Sequence, residues 1–192
     1  MRNKLLQALH YLNRACTHIV VQIRRAFQTP TNKNLLIKQF FSSTEHLWIR
    51  NDNNLQKSIL RFFNRFSAED LRKLFQNKKF MLLFAQGRMG CAIGIGQKSN
   101  IVLVFPELYK LLAAADPSYG YAILAHEIGH LIHSHSRKNI SALDAQFEAD
   151  AFTCKLGLAR ELEILLRQEI TSEETLLRIQ KLRQIDKTTE IN

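Results

Sequence analysis

Ten consecutive residues constrain this chain most: Tyr121-Ala122-Ile123-Leu124-Ala125-His126-Glu127-Ile128-Gly129-His130. Read as a helix, the run buries apolar side chains on most of its surface. His126 and His130, four apart, then share a face, so both imidazoles reach one ion. Asp116 reads as the N-cap and Pro117 as the first helical residue, which starts a helix running to about His135. The HExxH spacing suits zinc, which takes imidazole nitrogens at about 2.0–2.1 Å and keeps a position for water in catalytic sites. Glu127 is turned off the ligand axis yet within reach of that water, the place of a general base. The plain alternative is a core helix with two incidental histidines; cap, burial pattern and spacing together favour the metal reading.

The rest of the chain supplies an ordinary globular frame. Its 192 residues are 46% hydrophobic and 23% charged, and 7 Gly with 3 Pro exclude collagen-like or low-complexity architecture. No run approaches the roughly 18 unbroken apolar residues of a membrane span. Cys16, Cys91 and Cys154 are too scattered for a disulfide framework or a CxxC metal pair, which fits a reducing compartment and a cytoplasmic location. The N-terminus lacks an unbroken secretory h-region, although its acid-free, Arg-containing character resembles an organelle presequence.

The net charge of +10 is concentrated at one end. Residues 1–44 carry seven basic residues and no acidic one, the first acid being Glu45. Residues 4–28 read as an amphipathic helix with Leu5, Leu9, Leu12, Cys16, Ile19 and Ile23 as a narrow seam. That helix can pack on the domain or a partner helix, or lie on an anionic membrane surface. No basic cluster interleaved with aromatics points to nucleic acid.

A second helical stretch follows to about Arg50, then a polar turn at 51–54. An apolar stripe follows (Leu55, Ile59, Phe62, Phe63, Phe66), then a helix capped by Ser67 with Asp70 and running through Phe75. Phe80–Phe84, Cys91–Ile95 and Ile101–Phe105 read as three strands of an antiparallel meander. A long helix is expected over 141–168, and Thr171 with Glu174 makes a capping box for a last helix to about Ile185. The expected class is α+β, with a basic helix at 1–30, a helical segment at 31–78, a catalytic unit at 79–186 and a tail at 187–192.

Two histidines leave a metal site one ligand short. A metzincin would need a histidine six residues after His130, but that residue is Ser136. Downstream, Asp144-Ala145-Gln146-Phe147-Glu148-Ala149-Asp150 offers carboxylates, and a glutamate there would complete a His-His-Glu, gluzincin-type site.

At this point the chain resembles a known family. Ala125 to His130 with His135 five residues on, Phe147-Glu148-Ala149-Asp150-Ala151-Phe152 and Leu156-Gly157 are similar to the CAAX-prenyl endopeptidase and HtpX heat-shock protease family. Glu107 to Leu112 after the strand at 101–105, and Arg178-Ile179-Gln180-Lys181-Leu182, fit the same pattern over about 85–185. The resemblance implies a zinc-dependent endopeptidase with a zincin-like fold: a short sheet packed on the HExxH helix. It also implies a peptide or protein substrate paired along the strand Ile101–Phe105. The family's known members are mostly membrane proteins, so this chain would be a soluble, minimal version.

One departure concerns the third ligand, which the family writes as Glu-x-x-x-Asp, with Asp bracing a ligand histidine. Four residues before Asp150 stands Gln146, not glutamate. Glu148 is about 200° round the helix from Gln146. Glu148 could supply the ligand, Gln146 could stand in as a poor one, or Asp150 could bind directly; a carboxylate is the better zinc ligand, which favours Glu148, with Asp150 as the brace. His133 and His135 suit a helix C-terminus for its dipole, or could meet a transition-state oxyanion. The rivals are a zinc-binding or regulatory module that has lost catalysis, and a basic membrane-surface protein with an incidental HExxH.

Overall fold

The computed structural model describes residues 32–75, 79–87, 90–95, 99–135, 138–168 and 172–189, with backbone alone in 90–95 and 186–189. The expected helix at 4–28, Cys16 and the capping Thr171 lie outside the described residues, as do the side chain of Cys91 and the residues of the proposed tail beyond 189.

Helices come first. α1 (Lys33–Ser42), a 3-10 turn (Thr44–His46), α2 (Leu47–Arg50), α3 (Asn53–Asn64) and α4 (Ala68–Phe75) precede the strands. Local chemistry sets their ends: Asp52 Oδ1 accepts from Asn54 N and Leu55 N at the start of α3, and Ser67 Oγ accepts from Asp70 N at the start of α4. β1 (Lys79–Phe84), β2 (Gly90–Ile95) and β3 (Ser99–Val104) follow, then α5 (Pro106–Ala113), α6 (Ser118–Ile132), α7 (Ala142–Lys155), α8 (Ala159–Gln168) and α9 (Glu173–Thr189). The content is mostly helical with one small sheet, compatible with α+β.

The sheet is not the expected meander. Its order is β1-β3-β2, with β3 parallel to β1 and antiparallel to β2. The strand at 99–104 is therefore central and hydrogen-bonded on both sides, so the expected free edge for a peptide on Ile101–Phe105 is absent. The outer edge of β1 is also occupied. Buried His46 accepts Leu82 N–H on Nε2 at 3.1 Å, its Nδ1 donates to Phe40 O at 2.7 Å, and Trp48 Nε1 donates to Leu82 O at 3.3 Å. Those contacts satisfy the edge amide and carbonyl of Leu82, as buried backbone groups require.

The core crosses residue 79 without a break: Lys33–Asn192 form one compact unit. Phe62, Phe63 and Phe66 are almost wholly buried, and Phe63 and Phe80 meet edge-on with centroids 6.3 Å apart. Each such ring contributes about 1.5–3 kcal/mol relative to exposure.

Several boundaries differ from expectation. Helix α6 starts one residue late, with Pro117 rather than Asp116 at its N-cap, although Asp116 Oδ1 accepts Ser118 N–H at 3.0 Å, and it ends at Ile132 rather than near His135. The helix expected over 141–168 is two helices. Gly157, at φ +73°, ends α7 with Gly157 N–H on Cys154 O (2.8 Å) and Leu158 N–H on Thr153 O (3.3 Å). That pairing is a Schellman stop, which the left-handed conformation of glycine permits. The last helix is capped by Ser172, whose Oγ accepts Thr175 N–H at 3.2 Å.

Candidate metal centre

Burial fixes α6 in place. Tyr121, Ala122, Leu124, Ala125 and Ile128 are each 3% exposed or less, and Tyr121 Oη donates to Ser58 O at 2.7 Å. Gly129 lets α7 come close: a Cβ built there would meet Ala149 Cα at 2.9 Å. This close approach brings the face of α7 that carries Gln146 and Asp150 against the histidines of α6.

His126 and His130 turn their Nε2 atoms toward each other, 3.2 Å apart. Two nitrogen ligands on a tetrahedral zinc lie about 3.3 Å apart. The Nδ1 of His126 is 2.8 Å from Asp150 Oδ1. Asp150 is 1% exposed and anchored by Arg178 of α9, whose Nε and Nη2 each donate at 2.8 Å to one carboxylate oxygen. Burial pushes the Asp150 carboxyl up, but Arg178 and His126 outweigh it and hold it below its ordinary range. The contact is a close ion-pair approach rather than an aligned hydrogen bond, and the anionic carboxylate favours the His126 proton on Nδ1, which leaves the Nε2 lone pair to the site. Burial, then the neighbouring His126 and His135, push His130 down to about 4, so its imidazole is neutral at pH 7, the form that donates a lone pair.

Beside these histidines is a cavity of about 270 Å³ whose lining includes His126, Glu127 and Gln146 together with apolar Ile123, Leu165 and Leu166. Gln146 Oε1 is buried with no hydrogen-bond partner. An orphaned amide oxygen is costly. Gln146 stands one helical turn before Asp150, so both face α6. A larger cleft of about 600 Å³ beside Ile37, Phe41, Arg50 and Leu60 has no His, Cys, Asp or Glu among the described residues of its lining.

Glu148 is not where its expected role as third ligand would put it. Its Oε2 accepts from Lys138 Nζ at 2.7 Å and lies 2.9 Å from His135 Nε2 and 3.4 Å from His133 Nδ1. The reason is helical: with Asp150 and Gln146 facing α6, a residue two positions from either points about 200° away. Lys138, then His135, hold its carboxyl down to about 2.

Two residues take partners in the structure that the sequence did not assign to them. Arg178 holds Asp150 in place. His135, 7% exposed at its side chain, places Nδ1 2.7 Å from His130 Nδ1 and so connects that ring to Glu148. Neither pairing follows a spacing rule, because Arg178 comes from a separate helix and His135 lies beyond the end of α6.

The donor set fits zinc: two imidazole nitrogens at the right separation, one braced by a carboxylate, with an unpartnered amide oxygen on the same cavity. No curated protein and no solved structure matches this chain. The segment that holds every residue of this site, 90–184, matches the family model described as peptidase family M48, which supports an M48-family metallopeptidase.

Proposed function

We propose that this chain is a zinc-dependent endopeptidase with a zincin-like catalytic unit. One observation carries the reading: two Nε2 atoms converge at 3.2 Å beside a cavity that Glu127 also lines. His126 and His130 would hold the ion, with Gln146 Oε1 as the third donor. When bound, zinc supplies Lewis-acid polarisation of the scissile carbonyl. Glu127 takes the proton of the attacking water and passes it to the leaving amine nitrogen as the peptide bond breaks. Asp150 and Arg178 keep His126 in the tautomer the site needs.

Substrate would enter as an extended strand. With β3 central and β1 closed by His46 and Trp48, β2 offers the remaining outer edge, and β2 packs against α6. Leu165 and Leu166 give the cavity an apolar wall, which favours a bulky apolar side chain beside the scissile bond. The resemblance to CAAX-prenyl and HtpX-type peptidases supports this reading, with the basic segment 4–28 as the contact for a membrane surface or partner helix.

The amide at Gln146 favours one rival, a zinc-binding module without hydrolysis, because a neutral ligand holds zinc less firmly than a carboxylate. Glu127→Gln separates the two. In the zinc-loaded chain it should lower cleavage of an unbiased peptide library by about 10²–10⁴ while zinc content stays unchanged. Cleavage unchanged in that variant would refute the mechanism, and no cleavage by the parent chain with zinc retained would favour the module.

A further inference from the structure

Past the end of α6 a second set of ligating atoms comes together. His133 Nδ1 and His135 Nε2 lie 3.4 Å and 2.9 Å from one carboxylate oxygen, Glu148 Oε2. One atom from each residue falls within 4.8 Å of the others, the one such group of His, Cys, Asp or Glu found among the described residues. The backbone is bent to make this possible. In a continued helix, residues two apart point about 200° apart, so these rings would diverge. Ser134, between them, instead has φ +56°, a left-handed conformation unusual for a residue with a Cβ. The two imidazoles end up stacked, centroids 5.5 Å apart and planes 15° apart. Backbone outliers of this kind cluster at functional sites.

The nearby cations among the described residues leave the set available to an ion. In the adjoining cleft Lys155 is held by Asp70 at 2.8 Å, and Lys73 by Glu69 at 3.0 Å. Lys138, 2.7 Å from Glu148 Oε2 and 40% exposed, is the cation an incoming ion would have to displace into solvent. Two imidazoles and a carboxylate are the ligand chemistry of zinc and its first-row neighbours.

We propose that His133, His135 and Glu148 form a second, weaker site for a divalent transition-metal ion, and that filling it opposes filling of the His126–His130 site. The opposition rests on the reading of that first site given above. A neutral imidazole carries one proton. If His130 gives its Nε2 lone pair to the first ion, its proton is on Nδ1 and points at His135 Nδ1, 2.7 Å away. His135 must then accept on Nδ1 and carry its own proton on Nε2, toward Glu148. A second ion needs the Nε2 lone pair of His135, which moves that proton to Nδ1 and sets two N–H groups head-on. Either His130 surrenders its Nε2 lone pair or His135 swings away, so the two ions compete through one proton.

Calorimetric titration of the tag-free, metal-stripped full chain with zinc chloride tests this. Two binding events are expected. The weaker should vanish in His133→Ala, tighten about tenfold in Lys138→Ala and tighten at least about fivefold in His126→Ala, which loses the stronger event. A single event in the parent chain, or a weak event that persists unchanged in both His133→Ala and Glu148→Gln, overturns the second site. A weak event of unchanged affinity in His126→Ala overturns the competition. A strong event that survives His126→Ala instead refutes the first site and leaves the second to its own variants.

Discussion

His126 stands between a histidine and a carboxylate, its Nε2 3.2 Å from His130 Nε2 and its Nδ1 2.8 Å from Asp150 Oδ1. The carboxylate fixes which nitrogen is free to bind, and Arg178 fixes the carboxylate. Asp150→Asn keeps the shape but lets the ring take either tautomer. Zinc affinity, measured by competition with a chelator, should fall about 10- to 100-fold. An unchanged affinity would mean Asp150 does not orient His126.

Gly129→Ala gives a test of opposite sign to helix propensity. Alanine is favoured over glycine in a helix interior by about 1 kcal/mol. Here the added Cβ meets Ala149 Cα at 2.9 Å, so α6 and α7 must separate. We expect a net loss of about 1–3 kcal/mol by urea denaturation, with weaker zinc binding, because the spacing of the two helices sets the site.

The Asp70–Lys155 pair gives stability a defined pH dependence. Burial pushes Asp70 up, but Lys155 and Ser67 outweigh it and leave its carboxyl below the ordinary value. A carboxyl lowered in the folded state contributes stability that is present above the unfolded value of about 3.9 and lost as pH falls through the folded value. Stability should therefore drop below about pH 4. Asp70→Asn should remove about 1–3 kcal/mol at pH 7 and flatten part of the acid limb, read from urea midpoints across pH. An acid limb of unchanged slope in the variant would contradict this.

Leu165 lines the cavity that Glu127 also lines. Leu165→Ala should lower kcat/KM about tenfold for peptides with a bulky apolar residue next to the scissile bond, and leave small-residue peptides within about twofold. Equal losses for both sets would place the specificity pocket elsewhere.

What was legible in the sequence was what helix geometry fixes over one turn. His126 with His130, and Gln146 with Asp150, are pairs four apart and land together as the spacing demands. Ser67 with Asp70 is likewise a local cap. Glu148 shows the limit: its charge recommended it as a ligand, but its rotation round α7 points it elsewhere, and its partners depend on a left-handed Ser134 that no propensity favours. The sheet order was hidden for another reason. Three short apolar runs with polar separators look alike whether neighbours pair or β3 inserts between β1 and β2. The Gly157 stop was readable as a glycine inside a helical pattern, but the apolar stripe on either side masked it.

The most direct measurement is the zinc content of the full chain, purified without added metal or a His-tag, by elemental mass spectrometry. About one tightly held zinc per chain is expected, absent from His126→Ala. A folded, zinc-free chain that takes up none after dialysis against zinc would contradict it.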